Sequence, residues 1–467
     1  MFDFIRGRFS HQFSLFRERW CQQHTLPFTD VLSPQRVQPM LSEEGVEFRH
    51  SRFTPLVTLW TFLGQVFSPD HSCREAVARL IAFLVGQGQR PCVAGTGAYC
   101  AARQRLPERL LARLVRDSGD QLHARVSAKS LRIADRPVYV VDGTTVSMPD
   151  TPANQKAYPQ ARTQRPGVGF PIARLVALFS LGSGAVLDMA LGPYRGKGTG
   201  EPSLFRRLLG RLQPNSVVLG DRYFCNYWNL ALLLNREVHS VFRLHQRRRV
   251  DFRTGWRLGP HDHVALWKRP LRPAWMPAAE YEELAEELAV REVRVRVGQR
   301  GFRVREVILA TTLLDPQEAP TPQLAHLFRA RWHAELHLRS LKITLGMDVL
   351  RCKTPEMVRK ELWMHLLVYN LVRALMAQAT QRGNVEPHEI SFKGALQTLN
   401  RFQELLALTS SARWPALFEQ LLGAVAAHHV ANRPDRHEPR AIKRRPKSHT
   451  LLKVPRDVAR KRLLHAA

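Results

Sequence analysis

With 467 residues, 44% hydrophobic and 24% charged, the chain has the composition of a globular protein of two or three domains, which excludes a disordered polypeptide. Lys and Arg outnumber Asp and Glu by 70 to 40, a formal net charge of +30 that repels itself in a compact state and calls for a polyanionic partner, nucleic acid first. MFDFIRGRFSHQF lacks the apolar stretch of a secretory signal, and the run from Leu175 to Leu187 is short of the ~18 residues of a membrane span, so a cytoplasmic, nucleoid-associated protein with no membrane partner is expected.

Residues 1 to about 125 read as helical. In SPDHSCREAVARLIAFLVG, Ser68 or Asp70 is placed to cap a run with apolar residues at helical spacing, and PERLLARLVRDSG follows as a further helix. The six cysteines (Cys21, Cys73, Cys92, Cys100, Cys225 and Cys352) form no CxxC pair and read as thiols of a reducing compartment. From Pro137 the texture changes to VYVVDG, ARLVALFSLGSG and AVLDMALGPY, apolar runs divided by Gly-containing turns that suggest strands covered on both faces. EPSLFRRLLGRL then reads as a helix, SVVLGDRYF as a strand, NYWNLALLLN as a helix and SVFRLH as a fifth strand. The order βββαβαβ is that of a ribonuclease-H-like α/β core, although the pattern alone suits several α/β topologies.

Residues 246–315 look inserted. They open on the basic run QRRRVDFR, and REVRVRVGQRGFRVREVILATTLL alternates like two antiparallel strands around GQRG. A helical block follows from Pro322 to about Thr380, broken near KTPEM. The last stretch, NRPDRHEPRAIKRRPKSHTLLKVPRDVARKRL, has twelve Lys or Arg against three acids and reads as an extended basic tail suited to phosphates. The expected division is a helical, DNA-binding N-terminal domain over 1–125, core over 126–245 and 316–380, a β-rich insertion over 246–315, and a helical, basic C-terminal region over 381–467.

Three carboxylates stand out. Asp142 and Asp221 each end an apolar strand, where α/β folds place reacting groups, although Asp-Gly after a strand is also a common turn. The third is Glu335 in FRARWHAELHLRSLK. At about 100° per residue, Phe328, Arg331, Glu335 and Lys342 share an arc of roughly 60° on one continuous helix, an aromatic, two cations and an acid in a row. The bland alternative is a surface helix with pairs such as Arg331 with Glu335. HAELH is not the zinc-protease HExxH, because Ala334 stands where that motif has Glu.

These residues resemble the insertion-sequence-four family of DDE transposases, whose signature YxxRxxxExxxxxxK is matched in spacing by Phe328, Arg331, Glu335 and Lys342, with DGTTV and GDRYF in the expected order. Phe328 departs from the family's usual Tyr. The resemblance implies a ribonuclease-H-like core in which Asp142, Asp221 and Glu335 are catalytic and bind Mg²⁺, with Mn²⁺ as a substitute. It implies that Arg331, Lys342 and Arg222 contact double-stranded DNA, at transposon ends and target, within a homodimeric synaptic complex. Asp188 in AVLDMALG competes with Asp221, which is preferred because a helix lets its strand lie parallel beside that of Asp142. The implied activity is cut-and-paste transposition on terminal inverted repeats. A metal-dependent nuclease or resolvase without strand transfer, or a DNA-binding derivative without catalysis, is the alternative.

Overall fold

The computed structural model describes residues 32, 34–45, 52–86, 88–125, 131–297, 306–382, 385–409, 412–430 and 450–466. The chain divides into two compact units: one formed by Met1–Val126, Ile343–Leu345 and Arg359–Val430, the other by Ser127–Lys342, Gly346–Val358 and Ala431–Ala467.

The first unit is helical. It opens with α1 (Pro34–Glu43), α2 (Pro55–Phe67), α3 (Cys73–Gly86), α4 (Gly97–Arg105) and α5 (Glu108–Arg125). α2 starts where Thr54 accepts a hydrogen bond from the Val57 N–H and Pro55 presets the first turn. α3 begins later than the sequence suggests: Ser72 Oγ, rather than Ser68 or Asp70, accepts from the Glu75 N–H at 3.1 Å. Val57, Val77, Leu80, Tyr99 and Ala102 form the core between these helices.

The second unit is built on one nine-stranded sheet in the order β3-β2-β1-β4-β5-β9-β8-β7-β6. Its strands are β1 (Val138–Ser147), β2 (Ile172–Ser180), β3 (Val186–Pro193), β4 (Ser216–Gly220), β5 (Val238–Arg243), β6 (Trp256–Gly259), β7 (Asp262–Lys268), β8 (Glu287–Arg296) and β9 (Glu306–Thr311). A short α6 (Pro152–Ala157) follows β1, α7 (Glu201–Arg206) joins β3 to β4, and α8 (Tyr227–Leu234) joins β4 to β5. β1, β4 and β5 are mutually parallel, while β2 and β3 run antiparallel to β1 and to each other. β2 and β3 are almost continuously buried, although β3 lies at the edge of the sheet rather than its centre.

Asn226 caps α8, its Oδ1 accepting from the Asn229 N–H at 3.0 Å. Asn226→Ala should therefore cost about 1 kcal/mol in urea unfolding, and Asn226→Asp much less. Equal stability of the alanine variant and the parent would count against the cap.

β5 pairs with β9, which carries the sheet on into β8, β7 and β6. The antiparallel pair β8 and β9 forms as its alternation suggests, and GQRG lies outside the described residues. Both faces of this part of the sheet hold buried polar groups, since Arg291 and Glu292 are successive residues of β8. Arg291, fully enclosed, donates to both oxygens of Asp262 at 2.8 and 2.6 Å and to the Ala319 carbonyl at 2.8 Å. The Glu292 carboxylate accepts from Trp267 Nε1 at 2.8 Å and Arg248 Nε at 3.0 Å, with His263 Nε2 3.1 Å from its second oxygen.

α9 (Ala278–Glu282) lies between β7 and β8; after the last strand come α10 (Thr321–Ala330) and α11 (Trp332–Arg339), then a π-turn over Ser340–Thr344. The stretch 328–342 is thus not one uniform helix. Its ladder tightens at Arg331, where the Ala334 N–H reaches the Arg331 carbonyl three residues back, and widens again after Arg339. The later helices are α12 (Pro355–Thr380), α13 (Phe392–Leu408), α14 (Trp414–Ala426) and α15 (Arg456–Ala466). Within the first unit, Asn370 donates to the Val115 carbonyl and Ser118 hydroxyl, and Asn400 to the Phe67 carbonyl. The basic tail is only partly described, and its last part is the helix α15 rather than an extended strand. No described helix is long and apolar enough to cross a membrane.

Candidate active site

β1 and β4 are parallel neighbours with Val140 opposite Leu219; two residues further on, Asp142 lies in the middle of β1, which runs on to Ser147 rather than ending at this acid as VYVVDG suggests, and Asp221 lies just beyond the end of β4. Adjacent strands are about 4.8 Å apart. Gly220 makes this approach: a Cβ there would fall 2.9 Å from the Phe242 ring and 3.1 Å from Val141. The Asp142 carboxylate accepts from the Gly143 N–H at 2.8 Å. Asp221 accepts from the Tyr223 N–H at 2.8 Å, the turn chemistry expected of an Asp after a strand.

Glu335 arrives on α11, which packs against β1. Its carboxylate is exposed and its Oε1 lies 3.3 Å from Arg331 Nη2. The three acids share one electrostatic field. Burial pushes the Asp142 carboxyl up to about 6; the Gly143 N–H and the Arg331 guanidinium oppose this, and the charges of Asp221 and Glu335 add to it. Among the described residues, however, no group of three acids, His or Cys is gathered at metal-binding spacing.

Folding raises this carboxyl from 3.8 to about 6, so between those values the folded protein without metal binds the proton more tightly than the unfolded chain does. The contribution to stability is complete below the lower value and is lost as pH rises through the upper one. Asp142→Asn should remove this fall from a plot of unfolding free energy against pH, recorded in chelator. An identical slope in parent and variant would refute the assignment.

Arg331 is 7% exposed, with Cζ 5.4 Å from the centre of the Phe328 ring and 5.8 Å from that of Trp332, and its Nε has no hydrogen-bond partner. Phe328 is buried, so this position packs beneath the arginine. Lys342 is half-buried within the π-turn. Arg222, also half-buried, donates to Gln246 Oε1 at 2.6 Å and lies 5.5 Å from the Tyr223 ring centre. Asp188 is on β3, buried, and 3.7 Å from Arg211 Nε. Its register partner is Leu178, itself opposite Val141, so Asp188 is on the face away from Asp142.

Two charged residues not singled out in the sequence also reach this end of the sheet. Arg243 ends β5, and its guanidinium is lowered by burial and by the positive charges of Arg222 and Arg331, while Asp221 opposes the shift. Its signal was available: Arg243 follows the apolar run in SVFRLH as Asp221 follows that in SVVLGDRYF. Glu201, first residue of α7, is raised by burial and further by the charge of Asp221, with Arg174 opposing. Nothing local in EPSLFRRLLGRL marks it.

Two acids on neighbouring parallel strands, with a third on a helix packed against one of them, are the residue types a phosphoryl-transfer site requires. Residues 133–371 match the family described as Transposase DDE domain, and the chain belongs to the DDE transposases, of the insertion-sequence-four kind, enzymes that cleave DNA and transfer its strands. It is 27% identical over 425 residues to the Escherichia coli K12 protein "Transposase InsG for insertion sequence element IS4", covering 89% of this chain and 91% of that one. It is 30% identical over 145 residues to the "Putative transposase InsZ" of the same organism, covering 30% of this chain and 46% of that one. Among solved structures it is similar to the piggyBac transposase in a synaptic complex with hairpin DNA, at 9% identity and a TM-score of 0.41, over 96% of this chain and 89% of that one. Enzymes of this family generally use divalent metal ions.

Proposed function

We propose that the chain catalyses cut-and-paste transposition, binding the terminal inverted repeats of an insertion sequence and cleaving and joining DNA with Asp142, Asp221 and Glu335 as catalytic residues. The observation that carries this is the placing of Asp142 and Asp221 two residues beyond the paired Val140 and Leu219 of adjacent parallel strands, with Glu335 on the helix packed against β1. The order β3-β2-β1-β4-β5, with two antiparallel strands beside three parallel ones, supports a ribonuclease-H-like core. In this reading the core occupies 126–245 and 316–380, the β-rich insertion 246–315, a DNA-binding domain 1–125 and a basic C-terminal region 381–467.

The donor set suits Mg²⁺, with Mn²⁺ as substitute: carboxylate oxygens are the ligands of hard divalent cations. Asp142 and Asp221 stand ready, whereas Glu335 is paired with Arg331 and would have to leave it to join them. When bound, the cation would activate an attacking water or 3′-hydroxyl and stabilise the leaving 3′-oxygen. The chain's own part is positional. The buried Arg331, its Nε unpartnered, offers a fixed N–H to a phosphate oxygen, and Lys342 and Arg222 flank it. The formal charge of +30 supports phosphate binding along the duplex, and a homodimer at nucleoid DNA is the working assembly.

The test is a cleavage and joining assay on the inverted repeats that flank the gene. Released 3′ ends that join target DNA in Mg²⁺ support the reading. Cleavage without joining would replace it with a nuclease or resolvase, and binding without cleavage with a non-catalytic derivative.

A further inference from the structure

The helical unit brings two thiols together. Cys73 opens α3 and Cys100 lies on α4, 27 positions further along the chain, and their Sγ atoms are 3.9 Å apart. The packing around them sets this contact. Ser72 Oγ accepts from the Glu75 N–H and so fixes where α3 begins, which puts Cys73 in its first turn. On α4, Tyr99 is fully buried and its hydroxyl donates to Gln65 Oε1 of α2 at 2.8 Å, anchoring the turn that carries Cys100. Gln65 Nε2 lies 3.7 Å from Cys73 Sγ, and Arg103 Nη2 lies 3.9 Å from Cys100 Sγ. Each sulfur thus faces an N–H donor as well as the other sulfur. Burial pushes the Cys73 thiol up, and the Arg103 guanidinium opposes this.

Exposure singles out the same pair. Among the described cysteines Cys92, Cys225 and Cys352 are buried, whereas Cys73 and Cys100 are half-buried. The two sulfurs that a small solute reaches are therefore the two that touch each other. Two enclosed cysteines in contact are ordinary packing; two in contact at the surface are open to oxidation. We propose that Cys73 and Cys100 are a dithiol that a hydroperoxide oxidises to a disulfide joining α3 to α4. One sulfur, as thiolate, attacks a peroxide oxygen; the O–O bond breaks, hydroxide leaves and takes up the thiol's proton as water, and the sulfur becomes a sulfenic acid. The second sulfur then forms the S–S bond, and the hydroxyl leaves with its proton as a second water. Two thiols and one hydrogen peroxide give one disulfide and two waters, the sulfurs losing the two electrons that the peroxide gains. The bond asks the sulfurs to approach by roughly 2 Å more than contact. Once formed, it pins the first turn of α3 to α4 and restrains the unfolded chain between them.

The test treats the full-length chain, freed of reductant, with hydrogen peroxide, blocks the remaining thiols with iodoacetamide, and maps its peptides by mass spectrometry with and without dithiothreitol. The expected result is a pair of peptides joined through Cys73 and Cys100, lighter by two hydrogens than its parts and separated by dithiothreitol. With it comes a rise of several degrees in melting temperature that dithiothreitol reverses. Closure should quicken as pH rises, because the attack needs thiolate and burial holds the Cys73 proton. Cys73→Ser and Cys100→Ser should each lose the joined pair and the melting shift, while melting like the parent in dithiothreitol. A sulfinic acid at either residue with no joined pair, a bond from either to another cysteine, or both thiols left untouched by peroxide would each overturn the proposal.

Discussion

Glu335→Gln should lower Mg²⁺-dependent strand cleavage by at least ~10³-fold, about 4 kcal/mol of transition-state stabilisation, while binding of the element's ends stays close to that of the parent. The size follows from losing one of the charges that would hold the cation against the reacting phosphate. The selectivity follows from placement: Glu335 is an acid among Arg331, Arg339 and Lys342, so neutralising it removes no attraction for DNA. Gln can still accept from Arg331, which keeps the buried guanidinium partnered and separates catalysis from folding. Cleavage assays beside gel-shift titrations check both halves. Near-parental cleavage by this variant would remove Glu335 from the site.

Asp262→Ala should destabilise the sheet unit by about 3–5 kcal/mol. Arg291 is fully buried and gives two of its hydrogen bonds to that carboxylate, so the variant strands a positive charge away from water. Adding Arg291→Met should recover much of the loss, because the cost lies in the orphaned charge more than in the missing pair. Asp251→Ala, which breaks a pair on the surface with Arg253, should leave unfolding unchanged. Urea unfolding followed by tryptophan fluorescence distinguishes these cases, and an Asp262→Ala variant as stable as the parent would contradict the account.

What could be read in the sequence depended on how local its cause was. VYVVDG, SVVLGDRYF and SVFRLH announce buried strands because their apolar runs are nearly uninterrupted, and those strands form the parallel centre of the sheet. β6 and β7 were harder to see: WRLG and DHVALWK are short and half-exposed, and β7 hides its one buried acid partner, Glu292, on another strand. The uniform arc drawn from Phe328 to Lys342 failed at Arg331 and again at the π-turn, because hydrogen-bond spacing in a helix responds to packing that the sequence does not display. The motifs single out Asp142, Asp221 and Glu335 as candidates. No motif marks Glu201, which packs beside a glycine 58 positions earlier in the chain.

The continuity of the sheet has a metric consequence. β4, which leads into Asp221, and β6, which begins at the exposed Trp256, are separated by five strand spacings, roughly 24 Å along one hydrogen-bonded surface. There is no hinge between β5 and β9 to vary that interval, because they are bonded edge to edge. Whatever the two places hold is kept at that interval, which the number of strands between them sets.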